Sequence, residues 1–391
     1  MTTTMAKSYP AAMNIVEMRE SASRASSSPA SRVDADRSRQ PRAPEGDYCK
    51  FFSFIRQVGD GTYGRTWLAV DKRTNRRVLA KLIRRTENNR KSFEAEWKLS
   101  RLFSCHPSIV QTYEEAFEND NHRMLIQEYA DGGDLCSAIK SGVGLSQVRV
   151  RRYLGQIASA LQHVHNCGYV HRDIKPENMV LVNVPCEEDS YRRQMGLTMT
   201  HAKLIDFGMA CKIGTAIMPA KITIPYLAPE VCASSTQEPT VMASPSMDVW
   251  GLGVTLFTML TGMFPWKKAC MTDSNYAAFV HWQEVDAEWV PPMFERFSWQ
   301  LLELFRKMLA VNPEERVSAQ HVLGYLDLPW FYCVGDEGTA PSSRGCSSMS
   351  VDSGISNTSL LSCDSGLVGS SECILEDAGS PPPCRQTELK N

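Results

Sequence analysis

Three short motifs follow one another in the middle of the chain, and their order constrains its fold more than any other feature of the sequence. They are a His-Arg-Asp triplet followed by a lysine and an asparagine, an Asp-Phe-Gly triplet and an Ala-Pro-Glu triplet. Their positions are His171-Arg172-Asp173 with Lys175 and Asn178, Asp206-Phe207-Gly208, and Ala228-Pro229-Glu230. Any one triplet occurs by chance in many proteins, whereas all three in this order almost never do. The three motifs therefore belong to one functional set.

The composition is that of a globular domain with polar ends. The 391 residues are 43% hydrophobic and 22% charged, and their net charge of −2 gives no footprint for nucleic acid or an anionic membrane. The 13 cysteines are scattered without a metal-type Cys-x-x-Cys pair. The N-terminus lacks the apolar core of a signal peptide. We therefore expect a reduced, cytoplasmic protein that does not insert into a membrane.

The chain divides into three regions. Residues 1–50 are rich in Ser, Ala and Arg and are predicted to be disordered, because they offer too little apolar surface to offset the ordering entropy. Residues 51–333 have the periodicity of a folded domain. Residues 334–391 are dominated by Ser and Gly and are predicted to form a second disordered tail.

Strand patterns come before helix patterns within the middle region. Residues 78–83 and 124–129 have strand character, whereas residues 92–103 and 301–309 place apolar side chains at steps of three and four. Residues 249–265 are apolar but short and rich in Gly and Thr, which favours a buried core helix over a membrane span. This order predicts an α+β fold of two lobes, a small β-rich lobe and a larger helical one, with a cleft between them.

A glycine-rich run lies between the first two predicted strands. The G-x-G-x-x-G spacing also occurs in dinucleotide-binding folds and in ordinary hairpins, but here a strand-like run follows the last glycine where a helix would be needed. A hairpin of this kind lets backbone amides approach phosphates closely, with no Cβ in the way. The nucleotide-binding residues predicted for it are Val58, Gly59, Asp60, Gly61, Thr62, Tyr63, Gly64, Arg65 and Thr66.

Lys81 lies in the next predicted strand and would hold the nucleotide phosphates. A lysine inside an apolar strand is costly unless a carboxylate pairs with it. The following helix offers Glu94 and Glu96. Glu96 shares a helical face with Leu99 and Phe103 and is the predicted partner, with Glu94 as the alternative.

The remaining motif residues divide the chemistry of phosphoryl transfer among them. Asp173 is the predicted general base for the acceptor hydroxyl, a role that contributes roughly 10²–10⁴ in rate. Lys175 would neutralise the transferred phosphoryl group. Asn178 and Asp206 would hold Mg²⁺ through hard oxygen ligands. Any one of these residues could be a solvated loop residue, but the ordered set argues against that interpretation.

Residues 51–333, about seven-tenths of the chain, resemble the eukaryotic protein kinase domain. The resemblance implies transfer of the γ-phosphoryl group of ATP, with Mg²⁺, to protein substrates. The stretch Asp-Ile-Lys-Pro-Glu-Asn at 173–178 resembles the catalytic loop of the Ser/Thr class, so Ser or Thr acceptors are implied. A small lobe would span 51–127, a hinge 128–133 and a helical lobe 134–333.

The same resemblance assigns further residues. Glu128 and Ala130 would hydrogen-bond adenine beside the gatekeeper Gln127. The other implied roles are docking of the acceptor for Thr223, anchoring of the catalytic loop for Asp248, an ion pair for Arg316 with Glu230, and reading of basic residues before the acceptor for Asp134 and Glu177.

Several segments resemble the Src-homology-3-binding kinase family more closely. They are Gln127-Glu128-Tyr129-Ala130, Asp206-Phe207-Gly208-Met209, Ile224-Pro225-Tyr226, Phe264-Pro265-Trp266 and Phe279-Val280-His281-Trp282-Gln283. The proline-rich ligands that the family name implies do not carry over, because the prolines at 381–383 complete no PxxP repeat.

Four positions depart from the kinase pattern. Thr66 and Leu79 replace a valine and a small alanine near the adenine, and Gln127 adds a polar group there. Ser100, four residues after Glu96, occupies a position where an apolar residue is expected. None of the four touches the phosphates or the transferred proton, so activity can be weakened without being lost. The alternative functions are a pseudokinase scaffold that binds protein partners and an adaptor that acts through its tails.

Two segments near the motifs carry open alternatives. Residues 185–200 lengthen the connection between Asn178 and Asp206, as a tolerated surface hairpin or as a docking loop. Arg172 indicates control by a phosphorylated activation loop. The usual phosphosite falls near Pro219, so either Thr215 is the phosphosite or the loop is held without phosphate.

Overall fold

The computed structural model describes residues 43–61, 64–185, 198–218, 224–233, 241–285 and 289–331. The predicted disordered tail 334–391 and most of the predicted N-terminal one lie outside these residues. So do Thr62 and Tyr63 of the glycine-rich hairpin, most of the 185–200 insertion, and Pro219 and Thr223 of the activation segment.

The described residues form eleven strands and eight α-helices. The strands are β1 Phe52–Gly61, β2 Gly64–Asp71, β3 Arg76–Arg84, β4 Thr112–Glu118, β5 His122–Glu128, β6 Tyr169–Val170, β7 Met179–Pro185, β8 Thr198–Leu204, β9 Cys211–Lys212, β10 Ala216–Ile217 and β11 Val241–Met242. The helices are α1 Arg90–Phe103, α2 Leu135–Ala138, α3 Gln147–Asn166, α4 Pro229–Ala233, α5 Pro245–Thr261, α6 Ser274–Glu284, α7 Trp299–Met308 and α8 Ala319–Val322.

The first five strands form an antiparallel sheet in the order β1-β2-β3-β5-β4, and this sheet is the small lobe. Burial alternates along β3, as expected for a strand whose successive side chains point to opposite faces. Val78, Ala80 and Leu82 join an apolar cluster on one face, whereas Ile83 packs with Phe93 of α1 on the other. This alternation puts Lys81 on the face that α1 covers.

The small lobe begins earlier than the sequence predicts. Residues Asp47–Lys50 form a 3₁₀ turn, and Tyr48 is only 3% exposed against the outer face of the sheet. Its ring packs edge-on against Phe54, and its hydroxyl donates to the carbonyl of Glu45. The prediction of disorder up to residue 50 is therefore wrong for this turn, because one large aromatic side chain finds an apolar surface.

The larger lobe is built around α5, which is buried along almost its whole length. Ser244 caps its N-terminus, and Gly262, with φ of 70°, ends it in the left-handed region that glycine adopts without strain. Helices α3 and α7 pack against it in one apolar core. The predicted buried core helix is thus confirmed, as is the two-lobed α+β class. Among the described residues, no helix has both the length and the apolar character needed to cross a bilayer.

Short strand pairs position the loops on the helical side of the cleft. Strands β7 and β8 pair from Met179 with Leu204 out to Pro185 with Thr198, so the two ends of the predicted insertion are joined by a regular ladder. At the inner end, the amide of Ile205 donates to the carbonyl of Asn178 at 3.0 Å. The residue before Asp206 therefore lies beside the end of the catalytic loop.

Candidate active site

Lys81 contacts two carboxylates, one in its own lobe and one in the helical lobe. Its Nζ atom lies 2.5 Å from Oε1 of Glu96 in α1 and 3.5 Å from Oδ1 of Asp206. Glu94, the alternative partner, points outward and pairs with Arg90 at 2.8 Å. The ion pair predicted between Lys81 and Glu96 is therefore present, since the helical face of Glu96 turns toward the strand.

Burial and charge act in opposite directions on the pKa values of this cluster. Burial by itself lowers the pKa of Lys81, but the charges of Glu96 and Asp206 outweigh burial and raise it. Burial, together with the negative charge of Asp206, raises the pKa of Glu96 despite the attraction of Lys81. For Asp206, burial is outweighed by Lys81 and by a bond from the amide of Gly208, so its pKa is lowered. The ammonium of Lys81 thus contacts two carboxylates, and Asp206 ionises more readily than Glu96.

The loop that carries Asp173 is fixed by a buried carboxylate from α5. Asp248 is 1% exposed, and its two oxygens accept from the backbone amides of Arg172 at 2.7 Å and His171 at 2.8 Å. His165 also lies 2.8 Å from Oδ2 of Asp248. Burial tends to raise the pKa of Asp248, but the hydrogen bond and charge of His165, with further help from His171, lower it. The predicted anchoring contact from a buried helix is present.

The carboxylate of Asp173 is held on two sides. Nζ of Lys175 lies 2.8 Å from each of its oxygens. Nδ2 of Asn178 donates to Oδ2 of Asp173 at 2.7 Å and to its backbone carbonyl at 2.8 Å. Charge-assisted hydrogen bonds of this kind fix the direction in which a carboxylate points. Lys175 and Asn178 therefore both contact the predicted base.

Two residues beside this cluster have a backbone conformation that is uncommon without glycine. Arg172 has φ of 71° and Asp206 has φ of 66°. Such conformations cost about 1–3 kcal/mol each and persist only where the surroundings impose them. The backbone amide of Arg172 donates a hydrogen bond to the side chain of Asp248. The backbone amide of Gly208 donates one to the side chain of Asp206. Strain is thus concentrated at both motifs that face the cleft.

The oxygen atoms near Asp206 suit a hard divalent cation. Both hydrogen bonds of the Asn178 amide nitrogen go to Asp173, which leaves its Oδ1 as an acceptor, and the hydrogen bond from Ile205 to the Asn178 carbonyl brings the residue before Asp206 to the same loop. Mg²⁺ is usually bound by one or two protein oxygens together with substrate phosphates, not by a cage of protein ligands. In keeping with this, the described residues contain no cluster of three or more His, Cys, Asp or Glu side chains able to hold a metal.

The hinge is held from behind by contacts that the sequence analysis did not anticipate. The carboxylate of Glu128 lies 2.5 Å from Nζ of Lys203 in β8, and Glu128 also exchanges backbone and side-chain bonds with Gln111. Gln127, the predicted gatekeeper, is 8% exposed and donates from Nε2 to Oγ1 of Thr112 at 3.0 Å. Its amide nitrogen is therefore occupied within the small lobe.

One glycine of the hairpin is required by the protein itself. A Cβ on Gly64 would lie 2.2 Å from the carbonyl oxygen of Leu82 in β3, and its φ of 147° is already in the glycine region. A Cβ on Gly59 would meet only Thr66, at an ordinary 3.7 Å. Close packing of two strands thus requires a glycine at position 64, whereas packing within the protein does not require one at position 59.

Helix α1 contacts the Asp-Phe-Gly motif through an aromatic pair. The rings of Phe103 and Phe207 lie 4.9 Å apart, and His171 packs against the other side of Phe207 at 5.0 Å. Ser100, where an apolar residue is expected, is 1% exposed, and its hydroxyl has no hydrogen-bond partner in the described part of the chain. The aromatic contact therefore comes from the following turn of the helix.

Three further roles implied by the resemblance concern Arg316, Asp134 and Thr223. Arg316 forms a bidentate pair with Glu230 at 2.7 and 2.6 Å, and its side chain is fully buried. Asp134 accepts from both the amide and the hydroxyl of Ser137 at 2.6 Å, so it caps α2. Thr223 lies outside the described residues.

Sequence reasoning missed the partners that orient the predicted residues. His165 and Lys203 contact Asp248 and Glu128 respectively. The only available signal was position, with His165 six residues before His171 and Lys203 three residues before Asp206. Position alone did not say which side chain each would meet.

Comparison with known proteins agrees with this architecture. The protein kinase domain family matches residues 52–331. Over 72% of its length the chain is 37% identical to serine/threonine-protein kinase SBK1 of Danio rerio and 34% identical to SBK1 of Mus musculus, covering 69% and 64% of those proteins. It is 30% identical to serine/threonine-protein kinase SBK2 of Rattus norvegicus, over 72% of this chain and 75% of that protein.

The chain therefore belongs to the protein kinase superfamily, and within it to the family that contains SBK1 and SBK2. The resemblance to the Src-homology-3-binding kinase family is confirmed. A kinase domain implies ATP as the phosphoryl donor and protein substrates as acceptors.

Proposed function

We propose that this protein is an active serine/threonine kinase that transfers the γ-phosphoryl group of ATP to hydroxyl groups of protein substrates. The observation that carries the proposal is the contact of Lys81 with both Glu96 and Asp206. This contact connects the strand that would hold the phosphates to the residue that would hold the metal. It also requires α1 to be turned inward, which is the arrangement that catalysis needs in this family.

The reaction proposed is an in-line displacement at phosphorus. The oxygen of the substrate hydroxyl forms a bond to the γ-phosphorus, the bond from that phosphorus to the bridging oxygen breaks, and ADP leaves. The hydroxyl proton passes to the carboxylate of Asp173. The hydrogen bonds that Lys175 and Asn178 make to this carboxylate support the assignment, because they fix the direction in which it points.

The remaining residues stabilise negative charge. Lys81 would bind the α- and β-phosphates and Lys175 the transferred group. When bound, Mg²⁺ would neutralise phosphate charge, held by Asp206 and by the free oxygen of Asn178. Glu128 and Ala130 would bind adenine through backbone groups, and the hairpin that ends at Gly64 would cover the phosphates.

The proposal also covers the substrate and the cellular setting. Basic residues before the acceptor are proposed to meet Glu177 and Asp134, although the carboxylate of Asp134 already accepts two bonds from Ser137. A reduced, cytoplasmic setting is proposed because no cysteine in the described ranges forms a disulfide. The net charge of −2 supports a protein partner over a nucleic acid.

The deciding experiment measures Mg·ATP-dependent phosphoryl transfer to a generic protein substrate. We expect transfer by the wild type and a loss of at least ~10²-fold in Asp173→Asn, which keeps the shape but not the basicity of the side chain. The matched control is Asp327→Asn, an exposed carboxylate near the end of the helical lobe, with unchanged transfer. No transfer by the wild type, together with no rise in its melting temperature with Mg·ATP, would favour the pseudokinase scaffold.

A further inference from the structure

The activation segment, between the Asp-Phe-Gly and Ala-Pro-Glu motifs, is held by backbone pairing along its first half. Strand β9 pairs with β6, placing Cys211 opposite Val170. Strand β10 pairs with β11, placing Ile217 opposite Val241. Between these pairings, the amide of Gly214 donates to the carbonyl of Ala243, and the amide of Ala243 donates to the carbonyl of Thr215, both at 2.8 Å. The segment is thus fixed to two neighbouring parts of the helical lobe.

One side chain in the first half of this segment, residues 209–218, is buried. Ile217 is 6% exposed and forms an apolar cluster with Val170 and Ala243, with Val241 and Met247 packed beside it. We call this cluster the Ile217 socket. By contrast, Ile213, four residues earlier in the same segment, is 44% exposed. Only one of the two isoleucines therefore gains from burial of its apolar surface.

The Ile217 socket is directly connected to the catalytic loop. Val170, which forms part of its wall, is the residue immediately before His171-Arg172-Asp173. In addition, Ile217 and Asp173 both line one cavity of about 30 Å³. A change in the position of Ile217 would therefore reach the predicted base through side chains already in contact.

Arg172 faces the segment's own backbone. Its Nη1 donates to the carbonyl of Met209 at 3.2 Å and lies 3.9 Å from Sγ of Cys211. Its Nε is buried, with no hydrogen-bond partner in the described ranges, and so is out of reach of a phosphate from solvent. Cys211, the neighbour of Arg172 on β9, supplies no positive charge for a phosphate. Arg172, the predicted phosphate-binding residue, thus already donates a hydrogen bond to the backbone of the segment.

We infer that Ile217 is a positioning residue that holds the first half of the activation segment, residues 209–218, against the catalytic loop without a phosphate on the segment. This inference rests on the proposed kinase function and extends it to regulation. Burial of the Ile217 side chain and two short strand pairings hold the segment in place of a phosphate bound to Arg172. Activity should therefore depend on Ile217 and not on Thr215.

The test combines steady-state kinetics with amide hydrogen exchange on the full chain. We expect Ile217→Ser to lower kcat/KM for a protein substrate at least tenfold, whereas Ile217→Val stays within about threefold. The matched control Ile213→Ser changes an exposed isoleucine of the same segment and should stay within twofold. Thr215→Ala, and wild type freed of phosphate by a phosphatase, should also stay within twofold. The ATP-induced rise in melting temperature should be retained in all variants, which excludes misfolding.

Hydrogen exchange separates this inference from the kinase proposal. Amides 211–218 and 241–243 should be equally protected before and after phosphatase treatment, and exposed in Ile217→Ser but not in Ile213→Ser. If the wild type transfers no phosphate but shows this protection pattern, the kinase proposal fails and the role of the Ile217 socket in holding the segment stands. Loss of activity or of protection after dephosphorylation, or equal behaviour of Ile217→Ser and Ile213→Ser, would overturn the inference.

Discussion

The catalytic loop and the back of α1 both bury polar groups, but they satisfy them in different ways. Around the loop, the ionised Asp248 has donors on both oxygens, from His171, Arg172 and His165. Behind α1, the hydroxyl of Ser100 is buried with no partner in the described residues, whereas the partly exposed ring of His106 bonds only to neutral groups, the hydroxyl of Ser159 and the amide of Ser108. A buried charge is tolerated where its lone pairs are used. A polar group that has only neutral partners, or none, remains neutral.

Removal of the charge on the loop side should have the largest effect. Asp248→Ala leaves two backbone amides and His165 without their acceptor in a site that is 1% exposed. We expect a loss of about 3–5 kcal/mol in the free energy of unfolding and loss of activity. Asp248→Asn keeps one uncharged oxygen and should fall between wild type and Asp248→Ala. Urea unfolding measures both, and equal stability of all three proteins would contradict the anchoring role.

On the face of α1 that carries Glu96, as in the catalytic loop, removal of a charge should lower activity. Glu96→Gln keeps a polar group but removes the charge that pairs with Lys81. We expect kcat/KM to fall about 10- to 100-fold, equivalent to about 1.4–2.7 kcal/mol. The matched control is Glu94→Gln, whose exposed, solvent-screened pair with Arg90 should contribute little to stability and nothing to rate. Similar kinetics for the two variants would show that the side of the helix does not matter.

His106, which follows α1 in the chain, should make the free energy of unfolding depend on pH. Burial, with the nearby His163 and His201, lowers the pKa of His106 to about 4 from 6.5. Its Nδ1 accepts from the amide of Ser108, which also favours the neutral ring. As the pH falls from 6.5 toward 4, the unfolded chain binds a proton that the folded chain does not, so stability is lost in this window and is full above it.

Because His106 is partly exposed, the expected loss between pH 7 and 5 is only about 1 kcal/mol. His106→Asn does not titrate and should lack this part of the pH dependence. Urea unfolding at the two pH values measures it. An identical pH dependence in wild type and variant would show that His106 is not held neutral.

The smallest effect is expected to be a gain. Ser100→Ala removes a buried hydroxyl that has no partner in the described residues and should stabilise the protein by about 1 kcal/mol. The matched control lies one turn further on. The hydroxyl of Ser104 donates to the carbonyl of Ser100 at 2.6 Å and accepts from the amide of Thr112 at 2.8 Å, so Ser104→Ala should destabilise by a similar amount. Thermal unfolding of the two variants should therefore shift in opposite directions.

The sequence by itself determined the residues of the cleft and the class of fold. Asp173, Asn178 and Asp206 lie in motifs whose residue types and order already state the chemistry, and the change from strand to helix periodicity predicts the two lobes. Glu96 could be chosen over Glu94 because helical spacing is a local property of the chain. Local rules sufficed wherever a residue's role depends on neighbours close in sequence.

Only the tertiary structure decided how these residues are held. The contacts of His165 with Asp248, Lys203 with Glu128 and Ile217 with Val170 join parts of the chain between 47 and 83 residues apart. A sequence pattern carries no information about which of several buried side chains meet across such separations. The same holds for Ser100 and Tyr48, whose burial depends on surfaces formed by distant strands and helices. Long-range packing therefore sets the orientation, pKa and burial of groups whose chemical identity the sequence had already supplied.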